Sequence, residues 1–527
     1  MSAFQIRFRG ATIGRPDQPI FRDFEWSVEA FQSWVISGPN GSGKSALAQA
    51  LAGALAVTSR AASGGEPCAL PAPDSVALIS FERQREVFFD ERYHDDGDFV
   101  EGGVDPGTSA KDFMLGRPRG APPAGGSEPA RLRQLIERLG IQGLVDRGLK
   151  YLSTGEIRKV LLCRELLKEP ALLIFDEPYE GLDTETRAVL SDELERLVSA
   201  SLERDTRAAK SSQVLLITDR YEHVPPSSTH VLYLEGRRAL FAGPRRDFER
   251  SDLPARLGKL GGPASASLTQ ALAESWLEPP RAEMGTRDAG DAGDAGDTLV
   301  ELRNVRVTYS GRAVIDGLDL HIRRGEHTLV RGPNGCGKTT LLNLINGDNP
   351  QVYANQVTIC GMLRGSGESI WDVKKVLGQV SYSLHLEYAY HCHSNLIETA
   401  LSGFYDSIGL YRAPGFAEIR AAERWLDVVG LLPKRAEPFL SLSYGEQRLA
   451  LIVRAVIKQP KLLILDEPCH GLDARHREQV LTIADYIGHH SGSTILYVTH
   501  DPAEQLACTR QVLEFSADRG WVLRAID

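Results

Sequence analysis

Two adjacent carboxylates, Asp466 and Glu467, follow the aliphatic run Leu462-Leu463-Ile464-Leu465. Bounded by Pro460 and Pro468, the run predicts a strand buried on both faces of a parallel sheet. Acids at the carboxyl end of such a strand stand where open α/β sheets bind ligands. Ser443, 23 positions before Asp466, opens Ser443-Tyr444-Gly445-Glu446. This S-x-x-E capping box predicts a helix with Leu449, Ile452, Val453 and Val456 on one face. Taken once, the pattern is an ordinary capped helix leading into a core strand. It occurs twice. Ser153, Gly155, Asp176 and Glu177 repeat the order, Ser153 again 23 positions before Asp176.

A second pair of motifs lies upstream of these. Residues 33–45 read SWVISGPNGSGKS, a β-rich run entering Gly38, Asn40, Gly41, Gly43, Lys44 and Ser45, with small helix-forming residues after it. This is the G-x-x-x-x-G-K-[ST] pattern in its strand–loop–helix setting. Glycines let backbone N–H groups wrap phosphates, and the helix N-terminus adds a favourable dipole. Lys44 is expected to reach the β- and γ-phosphates of a nucleotide and Ser45 to ligate Mg²⁺. Gly332, Asn334, Gly335, Gly337, Lys338 and Thr339 form a second copy. Lys44 and Lys338 lie 294 positions apart, and Ser153 and Ser443 lie 290 apart. Two copies of one domain are therefore fused.

The elements around these motifs follow the same plan. Phe4 to Phe8 and Val305 to Tyr309 alternate like opening strands, residues 213–218 and 493–501 predict buried strands, and residues 128–139 predict a helix. Residues 58–73 and 116–127 are rich in Ala, Gly and Pro and read as surface loops. The acids of 90–98 read as a solvated loop. The domain boundaries expected are 1–250 and 298–527. The linker 251–297 between them carries a helix-like stretch at 268–276 and the repeat DAGDAGDAGD, which is too polar to pack and predicts disorder.

At 527 residues the chain has length for large cores, and its formal charge of −10 argues against a dedicated nucleic-acid binder. Seven scattered cysteines without a C-x-x-C pair fit a reducing compartment. No apolar run approaches a membrane span. The consecutive His391-Cys392-His393 have neither helical nor finger spacing for a metal. The expected location is the cytoplasm, with peripheral attachment at the cytoplasmic face of a membrane as an option.

A phosphate loop, an LS-x-G-E signature, an acidic-pair strand and a G-L-D turn, in that order and twice, resemble the ATP-binding cassette (ABC) ATPases. The resemblance covers nearly all of the chain apart from residues 250–297. Finer features resemble the ModF family (also called PhrA or photorepair protein), tandem-cassette ATPases linked to molybdate transport. They are YLSTGE with RK-x-LLC in the first copy, and RGSGESIWDVKK, SLHLEY, SGFYDSIGLY and SLSYGEQRLALIVRA in the second. The fold implied is α/β: two P-loop NTPase domains in tandem, each a mainly parallel sheet core with a helical subdomain.

The resemblance also implies an ATPase using ATP and Mg²⁺. Its two domains would pair head-to-tail within one monomeric chain, each nucleotide lying between one phosphate loop and the other domain's signature. Asp176 and Asp466 would then hold the Mg²⁺ shell, and Glu177 and Glu467 would orient or deprotonate the attacking water. Site two would join Tyr309, Lys338, Thr339, Asp466, Glu467 and His500 with Ser153 and Gly155. Tyr309 matches an adenine-stacking position and His500 a γ-phosphate contact. Site one would join Lys44, Ser45, Asp176 and Glu177 with Ser443 and Gly445. There the aromatic position falls near Ile13 and the histidine position is Asp219. The glutamine expected before the helical subdomain is matched by Gln84 in the first copy and replaced by Tyr382-Ser383 in the second. The role implied is the ATPase component of an ABC transport system with a separate membrane permease and no nucleic-acid partner. A soluble ATP-driven switch or regulator acting on a cytosolic assembly is the alternative.

Overall fold

The computed structural model describes residues 5–14, 19–39, 41–59, 68–80, 83–84, 87, 91, 107–119, 129–152, 154–179, 182, 184–202, 212–219, 221–254, 297–309, 312–333, 335–391, 393–472, 474–502, 504–516 and 520–526. Asn40, Ser153, Asn334, Cys392, most of 90–98, the stretch 268–276 and the DAGD repeat up to Gly296 lie outside these residues. The chain divides into two compact units, 1–260 and 261–527.

The first unit contains β1 (Ile6–Gly14), β2 (Pro19–Val28), β3 (Trp34–Ser37), β4 (Val57–Ser59), β5 (Val76–Ser80), β6 (Leu172–Asp176), β7 (Gln213–Ile217), β8 (His230–Glu235) and β9 (Arg238–Pro244). Its helices are α1 (Lys44–Leu51), α2 (Ala110–Met114), α3 (Ala130–Leu139), α4 (Thr154–Leu167), α5 (Thr184–Leu202) and α6 (Arg245–Glu249). The main sheet has the order β5-β6-β7-β3-β8-β9, parallel except for β9. A smaller antiparallel sheet has the order β2-β1-β4.

The second unit repeats this plan with β10 (Thr298–Tyr309), β11 (Arg312–Arg323), β12 (Thr328–Arg331), β13 (Gln356–Ile359), β14 (Met362–Leu363), β15 (Leu377–Val380), β16 (Leu462–Asp466), β17 (Thr494–Thr499), β18 (Gln511–Phe515) and β19 (Trp521–Ala525). Its helices are α7 (Lys338–Ile345), α8 (Ile370–Val376), α9 (Tyr382–His391), α10 (Leu396–Leu401), α11 (Phe416–Val428), α12 (Tyr444–Val456) and α13 (Ala474–His490). The order β15-β16-β17-β12-β18-β19 matches the first unit strand for strand, and β11-β10-β13-β14 is the antiparallel sheet.

The aliphatic runs fold as double-sided strands because successive side chains point to opposite faces. Leu463 and Leu465 pack with α12 and α13 in one core, while Leu462 and Ile464 pack with the antiparallel sheet and α7 in another. Leu173 and Phe175 against Leu172 and Ile174 divide the first unit in the same way. Burying both faces at about 25 cal/mol per Å² of apolar surface fixes the register, and with it the edge at which the acids emerge.

Local details differ from the sequence-based expectation at a few places. Thr58 and Ser59, at the start of a stretch expected to be loop, belong with Val57 to a strand because the three residues pair antiparallel with Ala11–Ile13. Glu91, expected on a solvated loop, is buried and its carboxylate accepts the Thr108 N–H at 2.9 Å. Within 251–297, Leu253 is buried in the first unit's core, and the Asp297 carbonyl accepts from Arg324 N at 2.8 Å. Among the described residues no helix is long and apolar enough to cross a membrane.

Candidate functional site

Parallel pairing brings the chemistry of the second unit to one edge. Asp466 pairs with Val498 on β17, and Thr499 pairs with Arg331, the last residue of β12, so the acidic pair, His500 and the loop after β12 share the carboxyl edge of the sheet. The loop turns on Gly332, Gly335 and Gly337, with φ of 155°, 77° and 112°. A Cβ on Gly332 would lie 2.8 Å from Phe515 Cβ. Only glycine fits there. Lys338, the first residue of α7, is buried, and its Nζ donates to the carbonyls of Gly332 at 2.8 Å and Pro333 at 3.0 Å. Thr339 follows in the first turn.

Glu467 has φ of 45°, left-handed for a residue with a side chain, at a cost of about 1–3 kcal/mol. Its main-chain N donates to Val498 O at 2.9 Å, which ties the turn to β17. Glu467 Oε1 lies 3.0 Å from His500 Nδ1 and Oε2 lies 4.0 Å from His470 Nδ1. Burial alone would raise the Glu467 carboxyl. The His500 hydrogen bond, with the charges of His500, His470 and Lys338, outweighs it and holds the group down at about 2. Asp466 goes up to about 7 through burial and repulsion from Glu467, against the pull of Lys338 and Arg448. Burial opposes the charge on His500, but its contact with Glu467 raises the imidazole above its ordinary value.

The capping box forms as the sequence predicts. Ser443 Oγ accepts from Glu446 N at 3.4 Å, and Glu446 Oε2 accepts from Ser443 N at 3.0 Å. Lys434 holds the other Glu446 oxygen at 2.8 Å. A Cβ on Gly445 would stand 2.4 Å from His476 Cγ, so the signature glycine is also the close approach of α12 to α13.

The first unit reproduces the loop and the turn. Gly38, Gly41 and Gly43 have φ of 146°, 75° and 103°, and Lys44 Nζ donates to Gly38 O at 2.6 Å and Pro39 O at 3.2 Å. Ser45 follows Lys44 in α1. Glu177 has φ of 48°, and its main-chain N donates to Ile217 O at 3.0 Å. The difference lies in what holds the carboxylate. The main-chain N of Asp219 donates to Glu177 Oε1 at 2.9 Å, where the second unit uses the His500 ring. Asp176 ends β6 beside Ile217. In α4, a Cβ on Gly155 would lie 2.9 Å from Thr186 Cγ2, the same helix-to-helix approach as at Gly445.

The remaining residues differ in how they relate to these clusters. Ile13 is fully buried in the core with Phe21 and Phe24. Tyr309 ends β10, and its side chain is outside the described residues. Gln84 is buried, with Oε1 accepting from Arg158 Nε at 3.1 Å. His385 is buried in α9, stacked on Tyr444 and bonded to Gln447 at 2.8 Å.

Sequence reasoning missed two second-unit residues beside the acids. His470 stands by Glu467, and the fully buried Arg448 lies close enough to Asp466 to pull its carboxyl down. Arg448 had a signal. It and Arg158 occupy the same place five residues after the signature serine, and Arg158 donates to Pro178 O at 2.6 Å.

The ABC transporter family model matches residues 21–180 and 315–470. The Escherichia coli ABC transporter ATP-binding protein ModF is 36% identical over 496 residues, 94% of this chain and 93% of that protein. An uncharacterized ABC transporter ATP-binding protein of Schizosaccharomyces pombe is 27% identical, covering 90% of each chain. One of Saccharomyces cerevisiae is 28% identical, covering 71% of this chain and 70% of its own.

Proposed function

The chain belongs to the ABC transporter ATP-binding family, with two cassettes in tandem, and from that premise we propose that it hydrolyses ATP at two unequal sites. The observation that carries the reading is the constellation at the carboxyl edge of the second sheet: Lys338 in its glycine loop, with Glu467 held by His500 at 3.0 Å. In this reading residues 1–250 and 298–527 are the cassettes and 251–297 tethers them.

The loop amides and Lys338 bind the triphosphate of ATP, and the lysine exchanges its carbonyl contacts for phosphate oxygens. Asp466 and Thr339, and Asp176 and Ser45 in the first unit, are the residues that would hold Mg²⁺. Their hard-oxygen donor set fits that ion, and an Asp466 carboxyl pushed up to about 7 is one that a cation would relieve. The ion supplies charge neutralisation at the β- and γ-phosphates. Glu467 presents Oε2 to the attacking water, since Oε1 is engaged by His500. Its work is to orient or deprotonate that water, with the carboxyl kept in its charged form by the His500 contact. Pairing of each phosphate loop with the other cassette's signature, Ser153 and Gly155 or Ser443 and Gly445, completes both sites.

The finer reading is that the protein is the ATPase component of an ABC transport system, molybdate-type by its resemblance to ModF, working in the cytoplasm against a separate permease. Steady-state hydrolysis by Glu467→Gln and Glu177→Gln tests the core of it. Near-complete loss in the first and partial loss in the second is expected; the reverse order refutes the assignment. Pull-down with the ATP-trapped Glu467→Gln protein tests the role, because recovery of ribosomes or another cytosolic assembly in place of a permease overturns it.

A further inference from the structure

A second cluster of ligand-type side chains lies at the opposite edge of the second sheet. Asp485 and His489 stand one helical turn apart on α13, and Cys508 precedes β18. One donor atom from each lies within 4.8 Å of the other two. The neighbouring chain runs into the amino ends of three parallel strands: α13 ends just before β17, His327 just precedes β12, and Cys508 comes three residues before β18. The phosphate loop and acidic pair leave from the carboxyl ends of the same sheet.

The local geometry is that of a prepared site. His489 Nδ1 lies 2.9 Å from the Asp485 carbonyl of its own helix. That carbonyl can only accept, so Nδ1 carries the proton and the Nε2 lone pair is left as a donor. Metal-binding histidines are fixed in this way. Asp485 Oδ1 accepts from Cys508 N at 2.9 Å, which ties the carboxylate to the cysteine. A Cβ on Gly488 would stand 2.5 Å from Cys508 Sγ, so a glycine lets the sulfur reach the helix. Cys508 is buried, Asp485 half-buried and His489 exposed, so the histidine side is open to solvent. Two flanking groups are not ligands: His327 Nδ1 accepts from Ile495 N, and the exposed Arg510 adds a nearby positive charge.

We propose that Asp485, His489 and Cys508 bind a borderline-soft divalent cation of the zinc class, with water in the fourth position. One thiolate, one imidazole and one carboxylate suit such a metal better than Mg²⁺ or Ca²⁺. Tetrahedral bonds of about 2.0–2.3 Å require the donors to draw in by roughly 1 Å. Rotation of the exposed His489 provides much of that. As the metal–sulfur bond forms, the thiol proton leaves to solvent. The ion clamps the end of α13 to the segment that enters β18.

Cobalt(II) titration of the full chain, after chelator treatment, tests the proposal. One equivalent should give a thiolate-to-cobalt charge-transfer band and tetrahedral d–d bands. Cys508→Ser should abolish the charge-transfer band, and His489→Gln should weaken binding at least about tenfold, since losing even a hydrogen-bond partner of a metal ligand costs about that much. Cys392→Ser, at the other Cys–His run, should leave the titration unchanged. Zinc should raise the melting temperature of the wild type and not of His489→Gln. Because His489 is exposed, its variant decides the matter if Cys508→Ser does not fold. Absence of a thiolate band in the wild type, its persistence in Cys508→Ser, its loss in Cys392→Ser, or wild-type affinity in His489→Gln overturns the assignment.

Discussion

His500→Ala should lower steady-state ATP turnover by roughly 10- to 150-fold, whereas Asp219→Ala should change it by less than about twofold. The magnitude comes from the two different ways in which the glutamates are held. His500 Nδ1 and Glu467 Oε1 are 3.0 Å apart in a largely enclosed pocket. Opposite charges at that distance attract by about 5 kcal/mol at an effective dielectric near 20. Desolvation of both groups leaves a net value of about 1.5–3 kcal/mol for a hydrogen bond to a charged partner. At 1.36 kcal/mol per factor of ten, full expression of that loss in the transition state gives the stated range. Glu177 is held instead by the main-chain N of Asp219 at 2.9 Å, a donor that side-chain truncation does not remove. Phosphate release at saturating ATP measures both variants, and a melt verifies that each is folded. His500→Asn, which keeps a side-chain N–H, should recover part of the activity. Equal losses from His500→Ala and Asp219→Ala, or near-wild-type turnover in His500→Ala, would refute this account of how the carboxylates are positioned.

Three further outcomes are expected. Because its imidazole is raised above the ordinary 6.5, His500 adds stability that is fully present below that pH and is lost as pH rises through the raised value; the melting-temperature gap between wild type and His500→Gln should therefore shrink with rising pH, and a constant gap would exclude the linkage. Gly445→Ala should destabilise the second unit by about 1–3 kcal/mol in denaturant melts, because the added methyl meets the His476 ring at 2.4 Å; an unchanged midpoint would show that α12 and α13 separate easily. Deleting residues 288–296 should leave both melting and ATPase activity unaltered, since a polar Gly-rich segment buries little surface; the cut stops short of Asp297 because its carbonyl accepts from Arg324 N.

The glycine loops, the buried strands and the adjacent acids were legible because each depends on residues close together in sequence. A glycine at φ of 77°, such as Gly335, or an aliphatic run ending in two acids carries its reason locally. Duplication made the weak signals strong, since Ser443 and Ser153 are each unremarkable alone. Long-range contacts were less accessible. His470 reaches Glu467 only because the turn after β16 folds back, and Arg448 is brought close to Asp466 by the path of α12. Ile13 could be matched to the Tyr309 position by spacing, but its full burial with Phe21 and Phe24 depends on the antiparallel pairing of β1 with β2, which sets Ile13 beside Phe21. The short strand β4 exists only because β1 offers it a free edge.

Holding Glu177 by a main-chain amide also bears on how the two halves can diverge. A contact made by the peptide backbone is indifferent to the side chain attached to it, so position 219 can change identity while the carboxylate stays in place. Position 500 has no such freedom, because its donor belongs to the imidazole itself. After a duplication, substitutions should therefore accumulate at the first of these positions and be purged at the second. An aspartate at 219 opposite a histidine at 500 is the pattern such unequal tolerance leaves behind.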